Sequence, residues 1–336
     1  MNDNKKNINL EIKPSQISKI GLGCMGMSCF YGSHNDEESI KVIIEAFNRG
    51  ITHFDTSDSY GNGANEELLG RAIKSLDRSR IVVATKCGYV FDKSNNTIAS
   101  INGTARHIKE SCEKSLKRLG VENIDIFYLH RVDPNIPIEE SMEALSGLVK
   151  EGKILKIGLS EVDSSIILRA NTIHQLYAIQ SEYSILHRYA EKEIIPLCKS
   201  LKINFIASSP ICNGFLAGKI KTPQQFESND LRREMPRFQD KNFNYNYFFV
   251  NVLKSIAQQK GCTPGQLALA WVLAQGDHIM AIPGTKHINY LEENIKALDI
   301  NLSSKELSEL DSKIPVGANK GTRFTKELAK LLNTYQ

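Results

Sequence analysis

The chain alternates short, continuous apolar runs with longer segments in which apolar residues recur every three or four positions. Residues 51–54 form one such run, and the segment after it carries Leu68, Leu69, Ala72 and Ile73 at helical spacing. A short apolar run predicts a buried strand, whereas the longer periodicity predicts an amphipathic helix. The predicted strands cover residues 17–25, 51–54, 81–85, 124–129, 154–159, 178–181, 203–207 and 279–282.

The repeated strand–helix alternation limits the choice of fold. Strands that alternate with helices form a mostly parallel sheet. Eight such units within 336 residues favour an α/β fold of the (β/α)8 TIM-barrel type over an open sheet with a second domain. No change of composition marks a linker, so we predict a single domain over residues 1–336.

Three segments depart from the regular alternation. Residues 91–102 are rich in Asn and Ser and are predicted to be irregular. Residues 211–246, after the seventh strand, are too long for an ordinary connection and are predicted to form a functional lid. Arg232, Arg233 and Arg237 in this lid are expected to be solvated. Residues 304–314 are predicted to form an extra C-terminal helix.

Polar side chains with complementary chemistry follow three successive predicted strands. Asp55 and Tyr60 come after the second strand, Lys86 ends the third, and His130 follows the fourth. In a barrel of parallel strands the carboxyl ends all lie at the face that carries catalytic residues. The sequence therefore predicts that these four side chains lie together at the mouth of the barrel.

A phenol, an ammonium, a carboxylate and an imidazole can together reduce a carbonyl group. A free tyrosine has a pKa of about 10, and we expect the Lys86 ammonium to lower the pKa of Tyr60 so that it donates a proton. Asp55 would keep the buried lysine charged, and His130 would orient the substrate carbonyl. Taken alone, Asp55 and Lys86 could equally form a structural ion pair.

Composition and charge exclude several other classes. A net charge of +4 without a long basic run makes nucleic acid an unlikely partner class. The polar N-terminus lacks a signal peptide, and no apolar stretch is long enough for a membrane helix, so we expect a cytoplasmic protein. Seven scattered cysteines without a C-x-x-C pair indicate reduced thiols and no metal site. Cys24, Cys87 and Cys212 lie near predicted strand ends, where we expect them to act as small apolar side chains.

Eight local motifs together resemble the aldo-keto reductase superfamily over essentially the whole chain. The branch that looks most similar contains perakine reductase, the auxin-induced-protein-like reductases and the pyridoxal reductases. The motifs are Gly21-Leu22-Gly23-Cys24-Met25-Gly26-Met27-Ser28, Phe54-Asp55-Thr56-Ser57-Asp58-Ser59-Tyr60-Gly61, Ala84-Thr85-Lys86, Tyr128-Leu129-His130-Arg131, Gly158-Leu159-Ser160-Glu161, Gln180-Ser181-Glu182-Tyr183-Ser184, Gly265-Gln266-Leu267-Ala268-Leu269-Ala270-Trp271-Val272 and Ile282-Pro283-Gly284-Thr285-Lys286.

The resemblance implies a (β/α)8 barrel that binds NADPH and reduces an aldehyde or ketone to an alcohol. By it, Asp55, Tyr60, Lys86 and His130 are the catalytic tetrad. Ser160, Glu161 and Gln180 match positions that hold the nicotinamide carboxamide, although many members carry Asn where this chain has Glu161. Gly284, Thr285 and Lys286 match the segment that grips the 2′-phosphate. The further implied cofactor-binding residues are Gly23, Cys24, Met25, Asp55, Ser208, Ser209, Pro210, Ile211, Asn213, Gly214, Lys219, Ile282, Glu293 and Asn294.

One segment departs from the family pattern. Ser208 stands where members usually carry a tyrosine that stacks on the nicotinamide ring, which should cost on the order of 1 kcal/mol of binding. Cys212 and Asn213 replace a Gly-Arg pair in the same loop. The alternative function is therefore a weakly catalytic or non-catalytic dinucleotide-binding regulatory subunit, but the four retained tetrad residues favour the enzyme. The small-molecule carbonyl substrate and the oligomeric state remain open.

Overall fold

The computed structural model describes residue 12 and residues 17–92 and 97–332. Its strands and its α-helices alternate along the chain. The strands are β1 (Leu22–Gly23), β2 (His53–Asp55), β3 (Val82–Cys87), β4 (Tyr89–Asp92), β5 (Thr97–Ile101), β6 (Ile124–Leu129), β7 (Ile154–Ser160), β8 (Ala178–Glu182), β9 (Asn204–Ser208) and β10 (Ile279–Ala281).

The helices lie between these strands or follow them. They are α1 (Asp36–Asn48), α2 (Ala64–Ile73), α3 (Ala105–Leu119), α4 (Ile138–Lys150), α5 (Ser164–Ile173), α6 (Ile194–Ser200), α7 (Asp240–Lys260), α8 (Pro264–Leu273), α9 (Ile288–Ile295), α10 (Ser304–Lys313) and α11 (Lys326–Leu331). None of the helices in the described ranges combines the length and the apolar character needed to cross a bilayer.

Eight parallel strands form one sheet that closes on itself. Their order is β1-β2-β3-β6-β7-β8-β9-β10, and parallel bridges join Ile20 to Ala281 and Gly23 to Gly284 across the remaining seam. A Cβ atom on Gly23 would lie 2.9 Å from the carbonyl oxygen of Ile282, so the seam can close this tightly only because residue 23 has no side chain. The predicted (β/α)8 TIM barrel is confirmed.

Local sequence signals fix several helix ends. The Thr104 side chain accepts a hydrogen bond from the backbone N–H of His107 at the start of α3, and Gly120 ends that helix at a φ of 66°. Thr263 and Gln266 form a reciprocal capping box at the start of α8. These caps set where each helix begins and ends, so that its apolar stripe meets the barrel.

The core has two layers. Side chains that point into the barrel include Val82, Ala84, Ile126, Tyr128 and Ile206, and they fill its interior. A larger apolar layer lies between the strands and the surrounding helices. Because the interior is filled, ligands can enter only at the ends of the barrel.

Two segments differ from the sequence-based prediction. Residues 91–102 were predicted to be irregular, but residues 89–92 and 97–101 pair as the antiparallel hairpin β4–β5; residues 93–96 lie outside the described part. The predicted lid consists of short 3-10 turns, with Phe215, Phe226 and Phe238 buried, and α7 begins at Asp240, within the range assigned to the lid. The short helix α11 was not predicted.

Candidate active site

The four predicted catalytic residues come together at the carboxyl ends of β2, β3 and β6. Lys86 Nζ lies 2.5 Å from Asp55 Oδ1 and 2.8 Å from the carbonyl oxygen of Thr56. The same nitrogen lies 3.5 Å from the Tyr60 hydroxyl. The rings of Tyr60 and His130 meet edge to face with centroids 6.1 Å apart. The barrel therefore assembles a phenol, an ammonium, a carboxylate and an imidazole around one point.

The protonation of Tyr60 differs from the sequence-based expectation. Burial and the neighbouring Asp55 carboxylate raise the pKa of Tyr60 well above its ordinary value, whereas we expected Lys86 to lower it. The reason is geometric, because Lys86 makes its two shortest contacts with Asp55 and Thr56 and only a long one with the phenol. In this arrangement Tyr60 is a neutral phenol that holds its proton.

His130 is held by a hydroxyl that the sequence-based analysis did not single out. Burial, followed by the charges of Lys86 and Arg131, lowers the pKa of His130 well below its ordinary value, so the ring is neutral. Ser57 Oγ lies 3.1 Å from His130 Nδ1 and also accepts the backbone N–H of Ser59. A hydroxyl that donates to Nδ1 leaves the imidazole proton on Nε2, where it can donate to a carbonyl oxygen.

A groove with a volume of 360 Å³ runs from Tyr60 toward the start of α9. It is lined by all the residues predicted to bind the cofactor except Cys24, Ser160 and Glu161. Cys24 is fully buried, and Ser160 and Glu161 lie on the wall of a second cavity. Asp55 and Gln180 line the groove and are joined by a 2.8 Å hydrogen bond from Gln180 Nε2.

The far end of the groove carries two lysines. Lys286 Nζ donates to the carbonyl oxygens of Tyr31 and Ser33, and within the described ranges no carboxylate lies at salt-bridge distance from it. Lys219, by contrast, pairs with Glu293 at 3.2 Å. The groove therefore offers a cation that no carboxylate of the described residues neutralises, which fits the phosphate of a dinucleotide.

The second cavity has a volume of 540 Å³ and meets the groove at Tyr60. Apolar and aromatic side chains supply much of its wall, together with His130. They come from the loop after β1, the β4–β5 hairpin, the lid and the C-terminal segment, which we define as residues 320–332. These side chains are Met25, Phe30, Tyr31, Tyr89, Phe91, Ile98, Leu231, Met235, Phe324, Leu328 and Leu332.

A buried ionic cluster forms one wall of the second cavity. Arg323 lies at 2.5 Å and 2.9 Å from the two carboxylate oxygens of Glu161, and its Nε lies 2.5 Å from Glu182. Arg237 of the lid pairs with Glu182 at 2.5 Å and is only 2% exposed. The expectation that Arg237 is a solvated lid charge is therefore wrong. Arg323 was not predicted to be a site residue, because nothing in the sequence near it indicates that the C-terminal segment returns to the barrel mouth.

The segment after β9 has an unusual backbone. Ser209, Cys212 and Asn213 have φ angles of 46°, 49° and 56°, in the left-handed region that few side chains adopt. Asn213 Nδ2 donates to the Tyr31 hydroxyl at 2.5 Å. Tyr31 lines both cavities, as does Ser208. The ring of Tyr31 thus lies at the junction of the two cavities, although residue 208, where a tyrosine was expected from the resemblance, is a serine.

The cysteines near the barrel mouth behave as apolar side chains. All seven cysteines are free. Burial raises the pKa of Cys24 and Cys87 well above the ordinary value, and it raises the pKa of Cys212 to about 11. Among the described residues, no group of three or more His, Cys, Asp or Glu side chains could hold a metal ion. Cys24, Cys87 and Cys212 are therefore neutral thiols at neutral pH rather than reactive thiolates.

Comparison with known proteins places this geometry in context. A model of the Aldo/keto reductase family matches residues 19–315. A probable aldo-keto reductase 1 from Glycine max is 42% identical over 313 residues, which are 92% of this chain and 89% of that protein.

Solved structures with a similar fold include two from bacteria. A glycerol dehydrogenase from Gluconobacter oxydans superimposes with a TM-score of 0.81 at 28% identity, over 88% of this chain and 91% of that one. An aldo-keto reductase from Klebsiella pneumoniae in complex with NADPH gives a TM-score of 0.69 at 28% identity, over 92% of this chain and 95% of that one.

Proposed function

Because the chain belongs to the aldo/keto reductase family, we propose that it reduces aldehydes or ketones to alcohols with NADPH and that Tyr60 donates the proton. The observation that carries the proposal is the position of Tyr60. Its side chain lies at the junction of the two cavities, next to the buried Lys86–Asp55 pair and the neutral ring of His130. A cofactor in the groove and a substrate in the second cavity would meet at this point.

The residues of the groove match the needs of NADPH. The Lys286 ammonium is not neutralised by a carboxylate of the described residues, so its charge is available to the 2′-phosphate. This favours NADPH over NADH. Gln180 of the groove, and Ser160 on the adjoining wall of the second cavity, offer polar groups for the carboxamide. When bound, the cofactor supplies the hydride that reduces the carbonyl carbon.

The side chains around Tyr60 supply the proton. His130 donates from Nε2 to the carbonyl oxygen and orients it, while Tyr60 donates its phenolic proton to the oxygen as negative charge develops there. Lys86 lies close enough to stabilise the phenolate that results, and Asp55 keeps Lys86 charged. A general acid placed in this way contributes roughly 10²- to 10⁴-fold to a rate.

The second cavity favours bulky apolar substrates. Phe30, Tyr89, Phe91 and Phe324 lie on different sides of it, and aromatic walls stabilise a flat or apolar ligand through burial and ring contacts. We therefore propose aromatic aldehydes and ketones as the substrate class, in preference to small polyols or sugars.

The proposal is tested by following NADPH consumption at 340 nm with a panel of aromatic and short aliphatic aldehydes, with NADH in parallel. We expect turnover with NADPH and aromatic aldehydes. Tyr60→Phe should bind NADPH as the wild type does but lose turnover by at least about 10²-fold. Normal reduction by Tyr60→Phe would show that another group is the acid. NADPH binding without reduction of any carbonyl by the wild type would favour a regulatory subunit.

A further inference from the structure

We propose that Arg323 of the C-terminal segment is a positioning residue, which holds the Glu161 carboxylate in place for the nicotinamide carboxamide. The inference rests on the proposed function, because it takes the NADPH nicotinamide to lie beside Tyr60. It adds a residue that lies 162 positions from Glu161 in the sequence and outside the part of the chain that the family model matches. The C-terminal segment would thereby become part of the cofactor site.

The contact has the geometry of a two-point clamp. Arg323 Nη1 and Nη2 lie 2.5 Å and 2.9 Å from Glu161 Oε2 and Oε1, which fixes both the position and the plane of the carboxylate. The side chains are only 10% exposed. The clamp is therefore shielded from water, unlike a surface ion pair that solvent screens.

The backbone of Glu161 explains why a clamp is needed. Its φ is 54°, in the left-handed region where Asn is tolerated much better than Glu. Glu161 therefore needs side-chain contacts that favour this conformation. Arg323 and the backbone N–H of Glu182, which donates to Glu161 Oε1 at 2.8 Å, provide these contacts.

The clamp leaves Glu161 able to bind a further donor. Oε1 accepts from Arg323 Nη2 and from the Glu182 backbone, whereas among the described residues Oε2 accepts a hydrogen bond only from Arg323 Nη1, with Arg131 Nη1 farther away at 4.0 Å. A carboxylate has about four acceptor sites, so Oε2 retains capacity for an amide N–H. Glu161 also lines the second cavity beside Ser160 and Gln180, the other two residues predicted to hold the carboxamide.

The charged surroundings keep Glu161 an acceptor. Burial alone would raise the pKa of Glu161, but the guanidinium groups of Arg323 and Arg131 lower it to about 2. The titratable and charged groups that face Glu161 are His130 and Arg131 after β6, Glu182 of β8, His187 in the loop after β8, and Arg323 of the tail. Without Arg323, burial and Glu182 would both favour a protonated Glu161 carboxyl, and Arg131 would be left to oppose them.

A purely structural role for Arg323 is the alternative that the experiment must separate. The C-terminal segment is also tied down by Asn246, whose side chain bonds both the N–H and the carbonyl of Lys320. Arg323 further contacts Glu182. If Arg323 only anchors the C-terminal segment, its loss should change NADPH affinity by the same factor whatever residue occupies position 161.

The test is a double-mutant cycle with Arg323→Gln, Glu161→Asn and the double variant. For each protein, the dissociation constant for NADPH is measured by cofactor fluorescence between pH 5 and pH 8. The thermal unfolding of each variant without cofactor checks that it is folded. We expect Arg323→Gln to weaken NADPH binding roughly tenfold at pH 7, the loss of a charged hydrogen bond. Binding by this variant should weaken further as the pH falls. In the Glu161→Asn background the same change should have less than about a twofold effect.

An equal loss of NADPH affinity in both backgrounds, or no loss in either, would overturn the proposal. His130 and the 2′-phosphate of NADPH are common to all the measurements, so the diagnostic quantity is the change in pH dependence that Arg323→Gln causes in each background, and an equal change in the Glu161→Asn background would also count against the proposal. If Arg323→Gln does not fold, Arg323→Lys in the same two backgrounds makes the comparison, since lysine keeps the charge but cannot form the two-point contact. A wild-type protein that does not bind NADPH would instead contradict the proposed function itself.

Discussion

The groove and the second cavity meet at Tyr60 but differ in part of their walls. The groove is formed by strand ends, by the short loops that follow them, such as residues 23–25 and 282–286, and by the lid. The second cavity takes its walls from the hairpin, the lid and the C-terminal segment. Both regions thus use the lid, but only the second cavity uses the hairpin and the C-terminal segment, which are peripheral and tolerate change.

This difference matches two separate tasks. A groove without residues of the hairpin or the C-terminal segment suits a ligand that stays the same, and a cavity shaped by those peripheral segments suits one whose identity can vary. Apart from Glu161 and Arg323, which we propose act on the cofactor, the two regions should therefore respond differently to mutation, with effects on cofactor affinity from the groove and on substrate choice from the second cavity. Tyr60, at the junction, and Lys86, buried beside it, should affect the reaction itself.

The largest effect on turnover is expected at Lys86, which lies beside Tyr60. Lys86→Met removes the ammonium that would stabilise the Tyr60 phenolate, so we expect turnover to fall about 10²- to 10⁴-fold. It also leaves the buried Asp55 without its partner, which should lower the free energy of unfolding by about 3–5 kcal/mol. Steady-state kinetics and urea unfolding measure the two effects. Asp55→Asn combined with Lys86→Met should recover part of the stability and none of the turnover. Unimpaired turnover by Lys86→Met would contradict the assignment.

A change at the far end of the groove should affect only the choice of cofactor. Lys286→Ala removes the charge proposed to bind the 2′-phosphate, so NADPH affinity should fall about 10- to 100-fold, the value of a hydrogen bond between charged groups. NADH lacks that phosphate and serves as the internal control, with no expected change in its affinity. Equal losses for both cofactors would mean that Lys286 acts by holding the loop of Tyr31 and Ser33 rather than by binding phosphate.

A change in the wall of the second cavity should affect only the substrate. Phe91→Ala removes an aromatic face of this wall, and kcat/KM for a bulky aromatic aldehyde should fall by about tenfold, from the lost apolar contact. Propanal reduction and NADPH affinity should stay the same. Phe248→Ala is the matched control, because Phe248 lies on α7 with 61% of its surface exposed. A fall in NADPH affinity with Phe91→Ala would remove the distinction between the two regions.

The smallest effect on turnover is expected at Ser57, whose hydroxyl contacts His130 Nδ1. Ser57→Ala removes the hydroxyl beside Nδ1 and should lower kcat by about fivefold, the value of one hydrogen bond. The ¹⁵N spectrum of histidine-labelled protein should show His130 losing its preference for the Nε2–H tautomer. Ser59→Ala, which touches Ser57 but not His130, controls for a general disturbance of the turn. An unchanged tautomer in Ser57→Ala would show that another group orients the ring.

The barrel and the meeting of four polar side chains at its mouth could be predicted from the sequence because both depend on local patterns. Each strand is a short apolar run, and Asp55, Lys86 and His130 lie at or directly after strand ends. Parallel pairing then brings those ends together, since each partner in the sheet is set by the barrel topology. The residues that line the groove were named by the family resemblance instead, and their role in binding the cofactor stays a prediction.

The parts that could not be predicted depend on long-range contacts. The β4–β5 hairpin lies in a segment whose Asn and Ser content indicated a loop, and its pairing became clear only from the structure. Arg237 looked like a surface residue until its buried partner, Glu182, was known. Arg323 is the extreme case, because only the folded chain brings residue 323 to residue 161. The pKa of Tyr60 was misjudged because the distances from Lys86 to Asp55 and to the phenol could not be known.

The most direct test of the account follows the transferred hydrogen itself. Wild-type protein and Tyr60→Phe would be given NADPH with deuterium at both C4 positions and an aromatic aldehyde, and the alcohol would be analysed by mass spectrometry. The account predicts one deuterium on the carbinol carbon of the wild-type product and almost no product from Tyr60→Phe, although that variant binds the cofactor normally. An unlabelled alcohol, or equal amounts of labelled alcohol from both proteins, would contradict it.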